Sequence, residues 1–247
     1  MRLLSPSNIG LAICGGMLAG IALGHDHLLN LVRYGLAGQH PWDNAAPGTA
    51  ASVQLTQYWN WATPDAPMTG KNGNCGPASV LMGVRLLGRD LPGMQGEHSY
   101  EAIMAARAVA YAGAPDPDVA AGTTFRQMQH IASAAGIASK ISTSTSDLLA
   151  AVEHGNPVVL AGAGNKSLLF SFFGVGGPKI GSNPGGTHAV LLSSYDRARD
   201  SFEVLDPGAD GGPLWLTRVE VEAFSVSEGL ILHRLEPQQP PQRTVLA

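Results

Sequence analysis

The sequence predicts an α+β domain, and three observations carry that prediction. Helical patterns come first and strand patterns later between Ala51 and Glu236. Thirty-one glycines and seventeen prolines demand many turns and long loops, more than a helical bundle would use. At 247 residues and 45% hydrophobic, the chain is long enough for one sizeable core with a tail at each end. This gives three parts: an apolar segment and linker over 1–50, a folded domain over 51–236 and a disordered Pro/Gln tail over 237–247.

The first strong element follows the turn Asn72-Gly-Asn74. Pro77 suits a first helical turn, and Val80, Leu81, Val84 and Leu87 recur at helical spacing before Gly88 closes the segment. A weaker helix spans Tyr100–Tyr111. Thr124 and Gln127 have the spacing of a capping box, so a helix starts there and ends at Gly136. Asp147–His154 is a short helix with Ser146 as its expected cap and Gly155 just beyond it. Val158–Ala161 is uniformly apolar, as a buried strand is. Ala189–Ser194 and Phe202–Leu205 flank the polar turn Asp196–Asp200 and read as a hairpin. Gly229–Leu235 is the last strand. An N-terminal helical part packed on a C-terminal antiparallel sheet accommodates all of these elements.

The N-terminal segment is read separately. Ile9–Gly24 is uncharged and sixteen residues long, shorter than the roughly 20 apolar residues that span a bilayer. Its length matches the apolar region of an export signal, and small residues around Gly20 and Ala22 suit cleavage. Gly16, Gly20 and Gly24 also form a small-xxx-small repeat, compatible with an uncleaved anchor in contact with a membrane. A Gly/Ala-rich hairpin buried in the fold is the third reading. The expected location is outside the cytoplasm, periplasmic or secreted. Residues 25–51 are a turn-rich linker with one short helix near Leu28–Leu36.

Charge excludes one class of partner. A formal charge of −4 and the lack of any Lys/Arg cluster leave no footprint for nucleic acid. With only Cys14 and Cys75 present, no disulfide framework holds the fold. His25-Asp-His27 lacks further placed ligands and reads as a solvated loop rather than a metal site.

Cys75 is the residue with the most chemistry in it. At the start of a helix, free backbone N–H groups and aligned peptide dipoles favour an anionic sulfur, which makes a thiol a nucleophile. The plain alternative is a small buried hydrophobe. A nucleophilic thiol requires a base within reach, and the base requires an orienting group. Of eight histidines, His25, His27 and His40 lie in the tail or linker and His98 in a polar loop. His130 and His154 fall on helices, and His233 alternates with apolar residues in the last strand. His188 differs: it opens a strand directly after the glycine-rich stretch 174–186, at a sheet rim facing a cleft. Structure and chemistry are equally good accounts of His188 alone. Asp206 ends the second strand of the hairpin, and antiparallel pairing sets that end beside the start of the first. In isolation Asp206 reads as a turn-capping Asp before Pro207. It is the joint pattern of Cys75, His188 and Asp206 that points to catalysis.

These same segments resemble a known family. Asn74-Cys-Gly-Pro-Ala-Ser79 is similar to the nucleophile motif of the bacteriocin-processing peptidase-like family, a bacterial branch of the papain-like cysteine proteases. Gly155-Asn-Pro-Val-Val159, Thr187-His-Ala-Val190, Leu205-Asp-Pro207 and Leu214-Trp-Leu-Thr217 followed by Phe224 resemble its later segments. The resemblance covers roughly Gln54 to Leu235. It implies a papain-like fold over 51–236 and a Cys75–His188–Asp206 triad that cleaves peptide or amide bonds. It also implies a Gln upstream of the Cys as an oxyanion donor, with Gln57 the first candidate and Gln54 the second, although Gln57 is further from Cys75 than the family's usual spacing. No metal or organic cofactor is called for. Expected substrates are peptides, proteins or, if the chain is exported, cell-wall peptidoglycan. Acyl transfer or deamidation on the same triad, as in an effector or toxin, and a non-catalytic binding module are the alternatives. The glycine-rich stretch 174–186 is either a lid over the cleft or surface irregularity.

Overall fold

The computed structural model describes residues 45–55, 73–96, 100–112, 122–163, 187–208 and 213–234. The apolar segment 9–24, the short helix expected near 28–36, Gln57, the stretch 174–186 and the tail lie outside these residues. Among the described residues no helix is long and apolar enough to cross a membrane.

Six helices and six strands are described, in the order α1 (Ala50–Val53), α2 (Cys75–Leu86), α3 (Tyr100–Tyr111), α4 (Phe125–Ala134), β1 (Ser139–Ser142), α5 (Thr145–Glu153), β2 (Val158–Ala163), β3 (Thr187–Asp196), β4 (Ser201–Leu205), β5 (Leu214–Thr217), α6 (Arg218–Phe224) and β6 (Ser225–Leu232). The strands form one antiparallel sheet in the order β1-β6-β2-β3-β4-β5. This is an α+β fold.

Alternation along the central strands divides the core in two. Ala189 and Leu191 of β3, with Val159, Leu205, Leu230 and Leu232, pack beneath α2, α3 and α4. Val190 and Leu192, with Val158, Leu160, Phe202 and Val204, pack with α5 and α6 on the other face. The sheet is therefore covered by helices on both sides. Gly83 lets α2 lie directly on the sheet. A Cβ there would run into the Leu232 side chain and sit 3.0 Å from Leu191 Cδ1.

Local chemistry accounts for the helix ends. Thr124 accepts from Gln127 N–H while the Gln127 side chain accepts from Thr124 N–H, the reciprocal box expected from the sequence. Gly136, at φ 73°, follows α4 in the left-handed region that favours glycine. The start of α5 differs from expectation by two residues. Ser144 is the cap, accepting from Asp147 N–H at 3.3 Å, whereas Ser146 turns its hydroxyl onto Ser144 Oγ at 2.8 Å. In the run of five small polar residues 142–146 several can cap, and packing of Leu148, Leu149 and Val152 sets the phase. The last strand starts earlier and ends earlier than expected, pairing with β1 on one side and β2 on the other.

Candidate active site

Cys75 is the first residue of α2 and is partly exposed, while Asn74 before it and Gly76, Pro77 and Ala78 after it are buried. The helix beneath is anchored to the sheet one turn on, where Ser79 Oγ donates to Ala189 O at 3.2 Å. That bond fixes α2 against the second and third residues of β3, and so sets Cys75 beside His188.

His188 is 3% exposed, and its Nε2 lies 2.6 Å from Asp206 Oδ1, itself fully buried. The hairpin register explains the encounter: Leu191 pairs with Leu205, so the residue after β4 lies near the entry of β3. With Nε2 on the carboxylate, Nδ1 is the nitrogen left for the Cys75 sulfur, to which His188 is hydrogen-bonded. Gly208 N–H donates to the same Asp206 Oδ1 at 2.7 Å, so this oxygen meets both the ring and the backbone of the following turn. Gly208 also lies flat against the imidazole, where a Cβ would stand 3.3 Å from His188 Cε1 and Nε2.

Electrostatics favour charge separation between the thiol and the imidazole. Burial pushes the Cys75 pKa up, but the His188 hydrogen bond and charge, with the N–H groups of Ala189 and Gly76, outweigh it and leave it below the usual thiol value. Burial pulls His188 down, but the Asp206 charge and hydrogen bond, assisted by Cys75, push it up to about 10. Both shifts favour the thiolate–imidazolium form of the pair over the neutral one.

Gln54 is where the structure departs from the expected oxyanion role. It is 2% exposed, and its Nε2 donates to Asp206 O at 3.0 Å and Leu55 O at 3.3 Å. Both amide hydrogens are engaged, so Gln54 supports the backbone of Asp206 and has none left for an oxyanion. Gln57, the first candidate, lies outside the described residues. His130 sets a ring nitrogen on the Ala110 carbonyl of the neighbouring helix, and His154 on the Ala150 carbonyl one turn back, so both serve helix packing and ends rather than the site. Among the described residues no three His, Cys, Asp or Glu side chains gather as metal ligands do.

Two participants were missed in the sequence. Gly208 carries no signal in the sequence beyond that of a turn residue after Pro207. Arg107, fully buried in α3, donates from Nη1 to Asn74 Oδ1 at 3.2 Å and to Gly73 O at 3.4 Å. Its signal was available: it falls on the same helical face as Ile103, Ala106 and Ala110, where an arginine demands a polar partner.

A thiol on a helix start facing the first strand residues of an antiparallel sheet is the arrangement of the papain-like class. Residues 52–225 match the model of the Peptidase_C39 like family, and the chain belongs to that family of papain-like cysteine proteases. Among solved structures it is similar to one from Bacillus anthracis described as a C39-like peptidase, at 17% identity and a TM-score of 0.32. That likeness covers 47% of this chain and 62% of the other, so this chain spans less than two thirds of its neighbour. None of the curated proteins compared matches it.

Proposed function

We propose that the protein is a cysteine peptidase that cleaves peptide or amide bonds with Cys75 as nucleophile, His188 as acid and base, and Asp206 as the orienter of His188. The single observation supporting this most is the continuous chain of contacts from a partly exposed sulfur to a buried imidazole to a buried carboxylate.

In this reading the thiolate of Cys75 attacks the substrate carbonyl carbon. The oxyanion accepts from the Cys75 backbone N–H, open because it lies in the first helical turn, and from Gln57. The C–N bond breaks as the His188 imidazolium passes its Nδ1 proton to the departing amine. Neutral His188 then takes a proton from water, whose oxygen attacks the thioester. The C–S bond breaks, the acid leaves, and the thiolate–imidazolium pair is restored. Asp206 holds Nε2–H throughout and stabilises the charged ring without taking its proton.

Substrates are peptides or proteins. With Ile9–Gly24 acting as an export signal, they are extracytoplasmic, including peptide stems and crosslinks of the cell wall. The test is mass spectrometry of peptide libraries and cell-wall fragments after incubation with wild type and Cys75→Ala. New termini that form with wild type and not with Cys75→Ala are expected. Equal cleavage by both overturns the reading, and products joined to added amines rather than water reassign it to acyl transfer.

A further inference from the structure

The cap of α2 is unusual in what it does not do. Asn is among the best N-cap residues, because its side-chain oxygen accepts from the N–H of the second or third helical residue. In α2 those residues are Gly76 and Pro77, and Pro77 has no N–H. Gly76 N–H is therefore the one donor that Asn74 could cap. Yet Asn74 makes no side-chain cap bond. Its Oδ1 is turned away to the guanidinium of Arg107, which also takes the Gly73 carbonyl and stacks 5.1 Å over the Tyr111 ring. Gly76 N–H, left without that cap, is among the backbone groups that favour an anionic Cys75 sulfur. The position is crowded, since a Cβ on Gly76 would collide with Thr123 Oγ1 and lie 2.9 Å from the Met128 side chain. The first turn is thus held from the α4 side as well.

We propose that Arg107 is a positioning residue for the nucleophile: by holding Asn74 Oδ1 it keeps that oxygen off Gly76 N–H and reserves this donor for the Cys75 sulfur. The inference rests on the reading of Cys75 as nucleophile. It adds that an arginine on α3, away from the sheet residues of the site, influences how well the sulfur carries its charge. Among the described residues the titratable groups facing Cys75 are His188 from β3, with Asp206 behind it.

The experiment is the rate of iodoacetamide alkylation of Cys75 in the full chain as a function of pH. It is read by mass spectrometry of the Cys75 peptide so that Cys14 is not counted. Asn74→Ser supplies a hydroxyl cap one atom too short for Arg107 to hold, whereas Asn74→Ala supplies none. At about pH 6, well below the ordinary thiol range, Asn74→Ser is expected to alkylate about tenfold more slowly than Asn74→Ala, the effect of diverting one hydrogen bond from a charged acceptor. Arg107→Met is expected to slow alkylation to a similar degree, and adding Asn74→Ala to the same chain to restore it. Lost positive charge alone would give an Arg107→Met defect that persists in the double variant, and that result overturns the proposal. So does equality of Asn74→Ser and Asn74→Ala. The Asn74 pair leaves Arg107 intact and decides the matter even if Arg107→Met does not fold. A wild-type rate no higher than that of the unfolded chain would sink the nucleophile reading and this inference together. A fast wild type with equal Asn74 variants would sink only the inference.

Discussion

Replacing Asp206 by Asn separates charge from orientation at the site. The amide oxygen of the replacement side chain can still accept from His188 Nε2–H, as Asp206 Oδ1 does at 2.6 Å, and from Gly208 N–H, as it does at 2.7 Å. Only the negative charge is lost. Two unit charges centred about 4 Å apart interact by about 4 kcal/mol at an effective dielectric of about 20, equivalent to roughly three pKa units. His188 stands at about 10, with the Asp206 charge the largest influence raising it. Asp206→Asn should therefore bring His188 down to about 7, moving the alkaline limb of the kcat/KM profile down by about three pH units. The His188 ring can be followed independently by its proton NMR titration. An alkaline limb and a ring titration that both stay within about one unit of wild type would refute the reasoning. Asp206→Ala should be worse at every pH, because it also leaves the Gly208 N–H and the ring without their acceptor.

Other outcomes follow from the same geometry. Gly208→Ala sets a methyl 3.1 Å from Asp206 Oδ1 and 3.3 Å from the His188 ring, so activity should fall about ten- to hundredfold from a misplaced ring. Its melting temperature, measured alongside, should change little. Thr124→Ala removes one half of the capping box on α4 and should cost about 1 kcal/mol in a denaturant melt, without changing the pH profile. Cys75→Ala should alter how stability depends on pH. His188, raised above its ordinary 6.5, contributes stability that is complete below that value and is lost as pH climbs toward about 10. Cys75, lowered from 9.0, contributes stability that is complete above that value and is lost as pH falls. Between 6.5 and 9.0 the two shifts act with opposite sign, His188 losing stability as pH rises and Cys75 gaining it. Without the thiol only the His188 slope remains. Urea melts of Cys75→Ala should then lose about 1 kcal/mol per pH unit relative to wild type across this window, and parallel curves would refute the pairing.

Much of this site is local in the sequence, and that part was legible. Cys75 announces itself by the turn before it and the apolar spacing after it. His188 and Asp206 are linked by one hairpin, whose polar turn at Asp196–Asp200 fixes which strand ends meet. The capping box of Thr124 and Gln127 likewise lies within four residues. The missed elements have weak periodicity. β1 is four residues with only Ser142 buried, and β5 is a short edge strand carrying the exposed Trp215, so neither shows the alternation of a half-buried strand. α6 carried a readable signal in Thr217 and Glu220, a second capping box, but at seven residues it is too short for helical spacing to show. For Gln54 and Arg107 it is the partner that escapes sequence reading. Their partners, Asp206 and Asn74, lie 152 and 33 residues away, and nothing local in a buried amide or guanidinium says which carbonyl it will meet.

The central claim is that Cys75 rests as a thiolate against a protonated His188. Its most direct test is the ultraviolet thiolate absorbance of wild type minus Cys75→Ala, a difference in which Cys14 cancels. The account predicts close to one thiolate per chain at neutral pH, lost only on acidification below the depressed Cys75 value. A difference absorbance that is absent at neutral pH and rises only in the ordinary thiol range, about 8.5, would contradict it.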